Sequence, residues 1–436
     1  MTPPVTPVTR VAILVNNPFV TDYRGWKLAR SLADAGYHVT VVARPGEALA
    51  DREVGPGFEI VRVEQPTIRW LPAPPLPGAA RSRGGLAGLI RETGGRLAQA
   101  VRYLWLARAW AGRIEAAVPG AEIWLSEGLI TLPVALELRR RRGGKVVYDS
   151  PDLHVESARF ARLPGPWRRL LRARERAWVR ACDGLVTASR PYADVLEQTT
   201  GRRARVVMNG PLLSDLPGER DRRLHERLGL DLDVPLVLAF GQVAPGRGIE
   251  VLIDAMERLS GVHLVVVGYG TLYVAMRTRA KLGRASDRVH FLPGVAPAQI
   301  PGVAAAADLS AMPIEPTTLN HRLTTPTKLF DAMGAATPVV ASDLPGMAAI
   351  VRETGCGELC RPADPDDIAR AIRLILEAPP DRRAAYGTAG RRAVLETYGW
   401  ERQVDELLDL LREIGAGPIA ASSVVETGGA PRDPAR

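Results

Sequence analysis

Residues 234–256 read VPLVLAFGQVAPGRGIEVLIDAM, and their pattern is the strongest indication of the fold class. The run Val234–Phe240 is apolar throughout, as expected of a strand that is buried on both faces. A glycine-rich turn follows, and from Ile249 onward the apolar residues recur with the period of a helix. A buried strand, a glycine turn and a helix in this order are typical of a Rossmann-like unit in an α/β domain.

The same alternation of short apolar runs and amphipathic stretches extends along the chain in both directions. Amphipathic helices are predicted over Trp26–Ala35 and Ile249–Leu259, and a final one over Glu401–Ile414. Counted together with Val234–Phe240, twelve strands are predicted, which is too many for one ordinary doubly wound sheet. The other predicted strands are Val11–Asn17, His38–Arg44, Phe58–Glu64, Glu122–Glu127, Lys145–Ser150, Gly184–Ser189, Ala204–Asn209, His263–Gly268, Arg288–Pro293, Leu309–Ile314 and Pro338–Asp343.

Periodicity lapses at residues 210–223 (GPLLSDLPGERDRR), which are rich in proline, glycine and charge. We therefore predict two Rossmann-like domains, 1–212 and 213–395, whose parallel sheets face each other across a cleft. A helix over 396–414 is expected to return to the first domain, and 415–436 is predicted to be a disordered tail. Ligands of open α/β sheets bind beyond the carboxyl ends of the strands, so both domains should present those ends to the cleft.

Composition excludes several other classes of protein. The chain has 436 residues, 46% of them apolar and 24% charged, which excludes a disordered chain, a collagen-like fibre and a membrane bundle. Its three cysteines are too few for a disulfide scaffold and fit a reducing compartment. The start of the chain lacks the pattern of a signal peptide, and the uncharged stretch 259–276 contains His263 and two glycines, which disfavour a membrane span. A soluble, cytoplasmic protein is expected.

Two segments of the second domain suggest anion binding. Gly241, Gly246 and Gly248 let a ligand approach the backbone, and Arg247 stands where the next helix offers free amides. The alternative is an ordinary turn with a solvated arginine. In 319–343 (LNHRLTTPTKLFDAMGAATPVVASD), a proline leads into a helix that carries Lys328, and Asp331 follows three residues later.

These segments resemble the donor domain of the retaining nucleotide-sugar glycosyltransferases that have the GT-B fold. The family they resemble is of the family 4 type (glycosyl transferases group 1), a large family that includes sucrose synthase. The similarity is carried by VLAFGQVAPGRGIEVLIDAM, VHFLPGV and TPTKLFDAMGAATPVVASDLPGM. In the first domain, VAILVNNPFVTDYRGWKLARSLADAGYHVTVVA, KVVYDSPDLHVE, GLVTASRPYADVL and VVMNGPLL fall where that family has its landmarks. The resemblance covers residues 10–400 in order.

The resemblance implies roles for particular residues. Arg247 takes the place of a basic residue that binds the pyrophosphate, and Asp331 that of a glutamate that holds the ribose. The backbone at Thr327 and Lys328 would meet the β-phosphate, residues 291–294 would lie against the base, and Asn209 would sit at the inter-domain hinge. The expected nucleotide contacts are Gly241, Gln242, Arg247, Gly248, Phe291, Gly294, Asn320, Thr327, Lys328, Leu329 and Asp331.

The chain departs from the family pattern at several positions. Gly241–Gln242 replaces a glycine–arginine pair, so one phosphate-binding cation is missing and Lys328 is expected to compensate. Leu323 stands where the E-x7-E pattern has its first glutamate. Where a subset of the family reads YDxHE, residues 148–152 read YDSPD, and His154 follows.

Four residues of the first domain are the catalytic candidates: Asp22, Arg24, Glu127 and His154. Asp22 and Arg24 lie in the loop after the first strand, where the alternative is a helix N-cap and a surface arginine. Glu127 ends a strand, with a solvated loop acid as the alternative. His154 is expected near the leaving group, or else as a satisfied polar residue.

We expect a glycosyltransferase that uses a UDP- or GDP-sugar, with a glycan, a lipid-linked molecule or a small molecule as acceptor. Arg247, Lys328 and helix amides would stabilise the leaving diphosphate without a metal or other cofactor. Retention of configuration is implied by the resemblance, with a diphosphate oxygen taking the acceptor's proton. Alternatives are a GT-B sugar-nucleotide epimerase, a phosphorylase, or a degenerate binding or assembly subunit, the last suggested by Gln242 and Leu323.

Residues 156–182 contain eight arginines interleaved with tryptophan and leucine, and the segment Leu86–Val118 is also basic. This pattern predicts contact with an anionic membrane, at the inner face of the cell membrane. The alternative is a solvated arginine face. Nucleic acid is not an expected partner, because the sequence shows neither a recognised binding module nor an aromatic platform.

Overall fold

Two parallel sheets organise the chain. The structure, a computed structural model, describes residues 8–66, 106–161 and 163–418. The first sheet has the order β3-β4-β2-β1-β5-β6-β7-β8 and the second the order β11-β10-β9-β12-β13-β14. The strands are β1 Arg10–Leu14, β2 His38–Ala43, β3 Arg52–Val54, β4 Phe58–Arg62, β5 Ile123–Glu127, β6 Lys145–Ser150, β7 Gly184–Thr187, β8 Arg205–Val206, β9 Leu236–Gln242, β10 His263–Tyr269, β11 Val289–Pro293, β12 Leu309–Met312, β13 Val339–Ser342 and β14 Gly357–Cys360.

Helices cover both faces of each sheet. The described α-helices are α1 Tyr23–Asp34, α2 106–117, α3 Leu132–Arg142, α4 Ala158–Ala161, α5 Gly165–Ala181, α6 Arg190–Thr200, α7 Arg223–Leu228, α8 Ile249–Met256, α9 Tyr273–Leu282, α10 Ile300–Ala304, α11 Leu319–Leu323, α12 Thr327–Gly334, α13 Pro345–Thr354, α14 Pro365–Leu376, α15 Pro380–Ala393 and α16 Trp400–Glu413. Short 3-10 turns cover His154–Glu156, Leu213–Asp215 and Pro297–Gln299, and a π-helical turn covers Val394–Tyr398. Among the described helices, none is both long and apolar enough to cross a lipid bilayer.

The predicted α/β fold with two facing Rossmann-like sheets is confirmed. The predicted return of the last helix is also confirmed, because α16 buries Trp400, Leu407 and Leu411 in the cluster that holds Val147 and Val186 of the first sheet. Burying such side chains contributes about 1.5–3 kcal/mol each. The final helix therefore stabilises the first domain although it follows the second in sequence.

The chain passes between the two domains twice, once in the linker after the first domain and once in the return segment before α16. These two segments are in contact. The amide of Trp400 donates to the carbonyl oxygen of Pro211 at 2.8 Å. Beside it, a Cβ on Gly210 would overlap the carbonyl oxygen of Tyr398. Only glycine allows this approach of main chain to main chain, so the linker and the return segment form one tight junction.

The structure differs from the sequence-based expectation in three places. The prediction missed β3, which is exposed along its length and pairs antiparallel to β4, and it missed the short β14. It also made β8 too long. The predicted disordered tail is wrong at its start, because Ala416 is buried and its carbonyl oxygen accepts from the Tyr37 hydroxyl at 3.1 Å. Residues 419–436 lie outside the described part of the chain.

Candidate functional site

The glycine-rich turn after β9 presents main chain at the carboxyl edge of the second sheet. Gly241 has a φ of +96°, and a Cβ on it would meet nothing within 4 Å, so the backbone there is open to a ligand. Gly248 has a φ of +73°, and a Cβ on it would overlap the carbonyl oxygen of Pro313. Because α8 begins directly after Gly248, its first amides lie at the same edge, where an anion is favoured.

Two basic side chains meet at this edge. Arg247 directly precedes Gly248, and Lys328 lies in the first turn of α12. Burial and the nearby guanidinium of Arg247 lower the pKa of Lys328 to about 7. Within the described residues, neither cation forms an ion pair with a carboxylate. Two half-buried like charges repel each other, and an anion bound between them would relieve that repulsion.

The first turn of α12 adds hydrogen-bond donors to the two cations. Pro326 is the N-cap, so the amides of Thr327 and Lys328 have no partner in the parts of the chain that the structure describes. The amide of Leu329 donates to the carbonyl oxygen of Pro326 at 2.9 Å, and the Leu329 side chain is fully buried. A nucleotide contact was predicted at Leu329, and the structure shows that its amide and its side chain both have partners inside the domain.

Asp331 lies one helical turn farther along α12 and is 7% exposed. Burial raises the pKa of its carboxyl group, and the ammonium group of Lys27 in the first domain opposes that rise. Lys27 is itself almost fully buried, and its Nζ donates to Asn209 Oδ1 at 2.8 Å. The Asp331 carboxyl group is therefore held at the junction of the two domains.

Polar side chains from the linker and from α11 join the two domains. Asn209 Nδ2 donates to Thr327 Oγ1 at 2.9 Å, which joins the hinge to the start of α12. Asn320 Oδ1 accepts from the amide of Leu153 at 2.7 Å, and its Nδ2 donates to Asp152 Oδ1 at 2.9 Å. The Asn320 side chain was expected on the nucleotide, but it is used instead as a contact between the domains.

The remaining predicted nucleotide contacts lie along the edge of β9 and β11. Gln242 is exposed at the end of β9, and Gly294 is exposed just after β11. The ring of Phe291 packs edge-on against Tyr273, with centroids 5.5 Å apart. Phe291 thus packs within its own domain, whereas Gln242 and Gly294 stay open.

In the first domain, Asp22 and Arg24 have structural partners. Asp22 is the N-cap of α1 and accepts from the amide of Gly25 at 2.9 Å. Arg24 was expected to line the cleft, but it is 5% exposed and forms a bidentate ion pair with Asp149 at 2.8 and 2.9 Å. Its third nitrogen donates to the carbonyl oxygen of Val207. A buried guanidinium needs such pairing, so Arg24 fastens α1 to β6.

Glu127 and His154 lie together where β5 and β6 end. A Cβ on Gly128 would lie 3.3 Å from the imidazole Nε2 of His154. Within the described residues, Glu127 Oε2 and His154 Nε2 are buried side-chain atoms without a hydrogen-bond partner. Burial and the charges of Asp22 and Asp149 raise the pKa of Glu127 well above its ordinary value, and burial lowers the pKa of His154. Both side chains therefore favour their neutral forms.

The basic stretch of the first domain forms one long helix. Residues 165–181 are α5, which exposes Arg169, Arg174 and Leu170 to solvent. Of the second basic segment, Leu86–Val118, the part up to residue 105 lies outside the described residues. The structure thus supplies a basic helix face with one exposed leucine.

Comparison with known proteins shows which family the second domain resembles. Residues 234–378 match the family model described as glycosyl transferases group 1. A D-inositol 3-phosphate glycosyltransferase from Xylanimonas cellulosilytica is 27% identical over 404 residues, which cover 88% of this chain and 89% of the relative. A GDP-mannose-dependent alpha-(1-6)-phosphatidylinositol monomannoside mannosyltransferase from Mycobacterium tuberculosis is 27% identical over 418 residues, covering 92% of this chain and 97% of the relative. Residues 234–378 are therefore assigned to the group 1 glycosyl transferases.

The fold of this glycosyltransferase agrees with that assignment. It superposes on the sucrose-phosphate synthase of Thermosynechococcus elongatus with a TM-score of 0.74 and 20% identity, covering 94% of this chain and 99% of that one. At this identity the likeness concerns the fold, which is GT-B. The matched family segment begins before β9 and ends after α14, so it contains the glycine-rich turn and α12.

Sequence reasoning missed two residues that shape the site of this glycosyltransferase. Lys27 joins the hinge to α1, and Tyr192 donates its hydroxyl to the carbonyl oxygen of Asn320 at 2.9 Å. Lys27 could have been noticed, because the sequence holds only four lysines against 53 arginines. Nothing near Tyr192 in sequence indicates a contact with the other domain.

If Arg24 is a structural residue, breaking its pair should affect stability strongly. We expect Asp149→Asn to lower the free energy of unfolding by about 3–5 kcal/mol, because it leaves a buried guanidinium without its counter-ion. The control is Glu122→Gln, which breaks the exposed pair with Arg10 and should cost about 0–1 kcal/mol. Urea unfolding of both variants makes the comparison. Equal, small losses would contradict a structural role for Arg24.

Proposed function

We propose that this glycosyltransferase moves a sugar from a nucleotide diphosphate sugar to an acceptor, and that Arg247 and Lys328 hold the leaving diphosphate. The observation that carries this proposal is the meeting of two half-buried cations, at the starts of α8 and α12, without a carboxylate counter-ion. An anionic ligand with two phosphate groups matches two cations and two sets of helix amides.

The proposed chemistry follows from where charge develops. When the bond between the sugar carbon and the phosphate oxygen breaks, negative charge grows on the diphosphate and positive charge on the sugar ring. Donors that are already in place stabilise that negative charge, and removing one such donor typically costs about 2.7–4 kcal/mol of barrier. Arg247, Lys328 and the amides of Thr327 and Lys328 supply donors of this kind.

Two further parts of the proposal concern the nucleoside of the donor and the stereochemistry of the transfer. Asp331 would accept hydrogen bonds from the ribose hydroxyls, as the family resemblance implies. The relative from Mycobacterium tuberculosis is GDP-mannose-dependent by name, which supports a nucleotide-sugar donor. Retention of configuration is proposed on the resemblance, with the acceptor attacking on the face that the diphosphate leaves and a diphosphate oxygen taking the acceptor's proton.

On the acceptor side, we assign Glu127 and His154 to the hydroxyl groups of the reacting sugars. Each has a buried polar atom without a partner, and leaving such an atom unsatisfied costs about 1–3 kcal/mol. A neutral imidazole and a neutral carboxyl group can each donate one hydrogen bond and accept another. They would thus bind a hydroxyl group without adding charge beside the leaving diphosphate.

Contact of α5 with an anionic membrane is a further part of the proposal. Each arginine near an anionic membrane surface contributes about 1 kcal/mol to the free energy of membrane binding. The double variant Arg169→Glu/Arg174→Glu should therefore lose most of its cosedimentation with phosphatidylglycerol vesicles. Equal cosedimentation of the variant and the parent, or none by the parent, would contradict this contact.

Replacing Arg247 tests the diphosphate site. We expect Arg247→Ala to weaken binding of nucleoside diphosphates at least tenfold, about 1.4 kcal/mol, because the diphosphate loses a charged donor. Arg277→Ala is the matched control, because Arg277 is exposed on α9. The affinity of this variant for nucleoside diphosphates should equal that of the parent. Calorimetric titration measures both variants. Unchanged affinity in Arg247→Ala, or no binding of any nucleoside diphosphate by the parent, would refute the proposed site.

The pKa of Lys328 gives the site a pH dependence. In the free protein this pKa is about 7. A bound diphosphate favours the charged ammonium group and so raises the pKa, which means that binding takes up a proton above pH 7. Affinity for an intact nucleotide sugar, whose phosphates do not titrate near neutrality, should be highest below pH 7 and fall between about pH 7 and pH 9.

Lys328→Met is the control for this pH dependence. It should bind more weakly at low pH and lose most of the slope, because the titrating group is gone. A parent affinity that is flat from about pH 6 to pH 9, or a slope that survives in Lys328→Met, would contradict the role of Lys328.

A further inference from the structure

The short helix α11 lies between the glycine-rich turn of the second domain and the segment of the first domain that leads to His154. It runs from Leu319 to Leu323. His321 packs under the glycine-rich turn, and the neighbouring Asn320 bonds to the first domain. Consecutive residues of a helix point in different directions, so a single turn of helix can contact both domains. The helix therefore bridges the two halves of the proposed site.

His321 fills the space beneath Gly246. Its imidazole Nδ1 lies 2.8 Å from Thr317 Oγ1, a hydrogen bond between the two side chains. Gly246 has a φ of +77°, and a Cβ on it would lie only 2.8 Å from both of these atoms. In addition, the amide of Glu315 donates to the carbonyl oxygen of Gly246 at 3.0 Å. Because Arg247 directly follows Gly246, these contacts also hold the main chain of Arg247.

The His321 ring lies near Arg247 without adding a charge there. The residue is 8% exposed. Burial lowers the pKa of His321, the guanidinium of Arg247 lowers it further, and the carboxylate of Asp152 opposes both effects. The imidazole is therefore neutral near pH 7. A neutral ring can pack under the turn without repelling the guanidinium that the proposed diphosphate site uses.

The other side of α11 is fastened to the first domain. Asn320 Oδ1 accepts at 2.7 Å from the amide of Leu153, the residue that directly precedes His154. The Tyr192 hydroxyl donates to the carbonyl oxygen of Asn320 at 2.9 Å. Leu323, at the end of α11, packs against the hydrophobic core of the first domain. The helix that supports the glycine-rich turn is thus docked beside the proposed acceptor group.

We propose that His321 is a positioning residue of this glycosyltransferase, which holds the glycine-rich turn and Arg247 in the geometry that binds the diphosphate. The inference rests on the proposed diphosphate site, and it adds that α11 makes this geometry depend on the docking of the two domains. Loss of the hydrogen bond under Gly246 lets the turn relax away from the ligand. Donor affinity then falls although the groups that hold the diphosphate are unchanged.

Titration of the full chain with GDP, UDP and inorganic pyrophosphate tests the role of His321. Thr317→Val removes the hydroxyl but keeps the shape of the side chain, and His321→Leu removes the ring nitrogens. Because a hydrogen bond contributes about two- to tenfold to an equilibrium constant, each variant should weaken every ligand that the parent binds by about that factor. The double variant should bind no more weakly than the weaker single variant, since both substitutions remove the same bond.

His321→Asn distinguishes positioning from direct contact with the ligand. Asparagine has the branched shape of leucine and keeps a polar atom where Nδ1 lies, but it is shorter than the imidazole. It should therefore restore most of the affinity that His321→Leu loses. The control is His38→Leu, at an exposed position of the first domain, which should bind like the parent. Thermal unfolding of each variant checks that the fold is kept.

The positioning role is wrong if Thr317→Val binds like the parent, or if His321→Asn is as weak as His321→Leu. Arg247→Ala separates this failure from failure of the diphosphate site. If Arg247→Ala weakens all the ligands while Thr317→Val and His321→Leu weaken none, the diphosphate site stands and His321 has no part in it. If Arg247→Ala weakens none of them, the diphosphate site itself is wrong.

Tyr192→Phe tests the dependence on domain docking. It removes the hydrogen bond to Asn320 from the side of the first domain and leaves an aromatic ring in place. It should weaken the same ligands about two- to tenfold, and its effect should shrink in the Thr317→Val background, where the turn has already lost its support. Parent-like affinity in Tyr192→Phe, or an effect of the same size in both backgrounds, would show that α11 does not couple the diphosphate site to the first domain.

Discussion

Two cations lie near enough to repel each other at the carboxyl edge of the second sheet, and no described carboxylate forms an ion pair with either of them. Arg247 ends the glycine-rich turn after β9, and Lys328 lies in the first turn of α12. Folding brings both out of bulk water, and the lowered pKa of Lys328 is the result. The fold tolerates this repulsion at the place where a diphosphate would remove it. The proposed donor chemistry depends on that arrangement.

The rest of the molecule holds this edge in place. Glycines at the turn let the backbone pack where a Cβ would overlap Pro313. The hinge reaches α12 through Asn209, and Lys27 ties the same asparagine to α1. Because α16 returns to the first sheet, the two domains are joined by two crossings that touch. The first domain is therefore linked to the start of α12 by hydrogen bonds through Asn209.

The sequence predicted most of the fold and several residues of the candidate site. Buried parallel strands are continuous apolar runs, so twelve were predicted, while the exposed β3 has no such signal. Arg247 and Lys328 were predicted because helix starts are local features. The pairing of Arg24 with Asp149 spans 125 residues, and no local pattern indicates it. Whether a buried polar atom such as Nε2 of His154 lacks a hydrogen-bond partner also depends on tertiary packing, and no local sequence pattern indicates it.

A crystal structure of the enzyme with an intact nucleotide sugar would show where the diphosphate binds. We expect oxygens of the diphosphate to lie within about 2.7–3.2 Å of both the Arg247 guanidinium and Lys328 Nζ, with the first amides of α12 at hydrogen-bonding distance. A diphosphate bound away from this pair, with Arg247 turned to solvent, would contradict it.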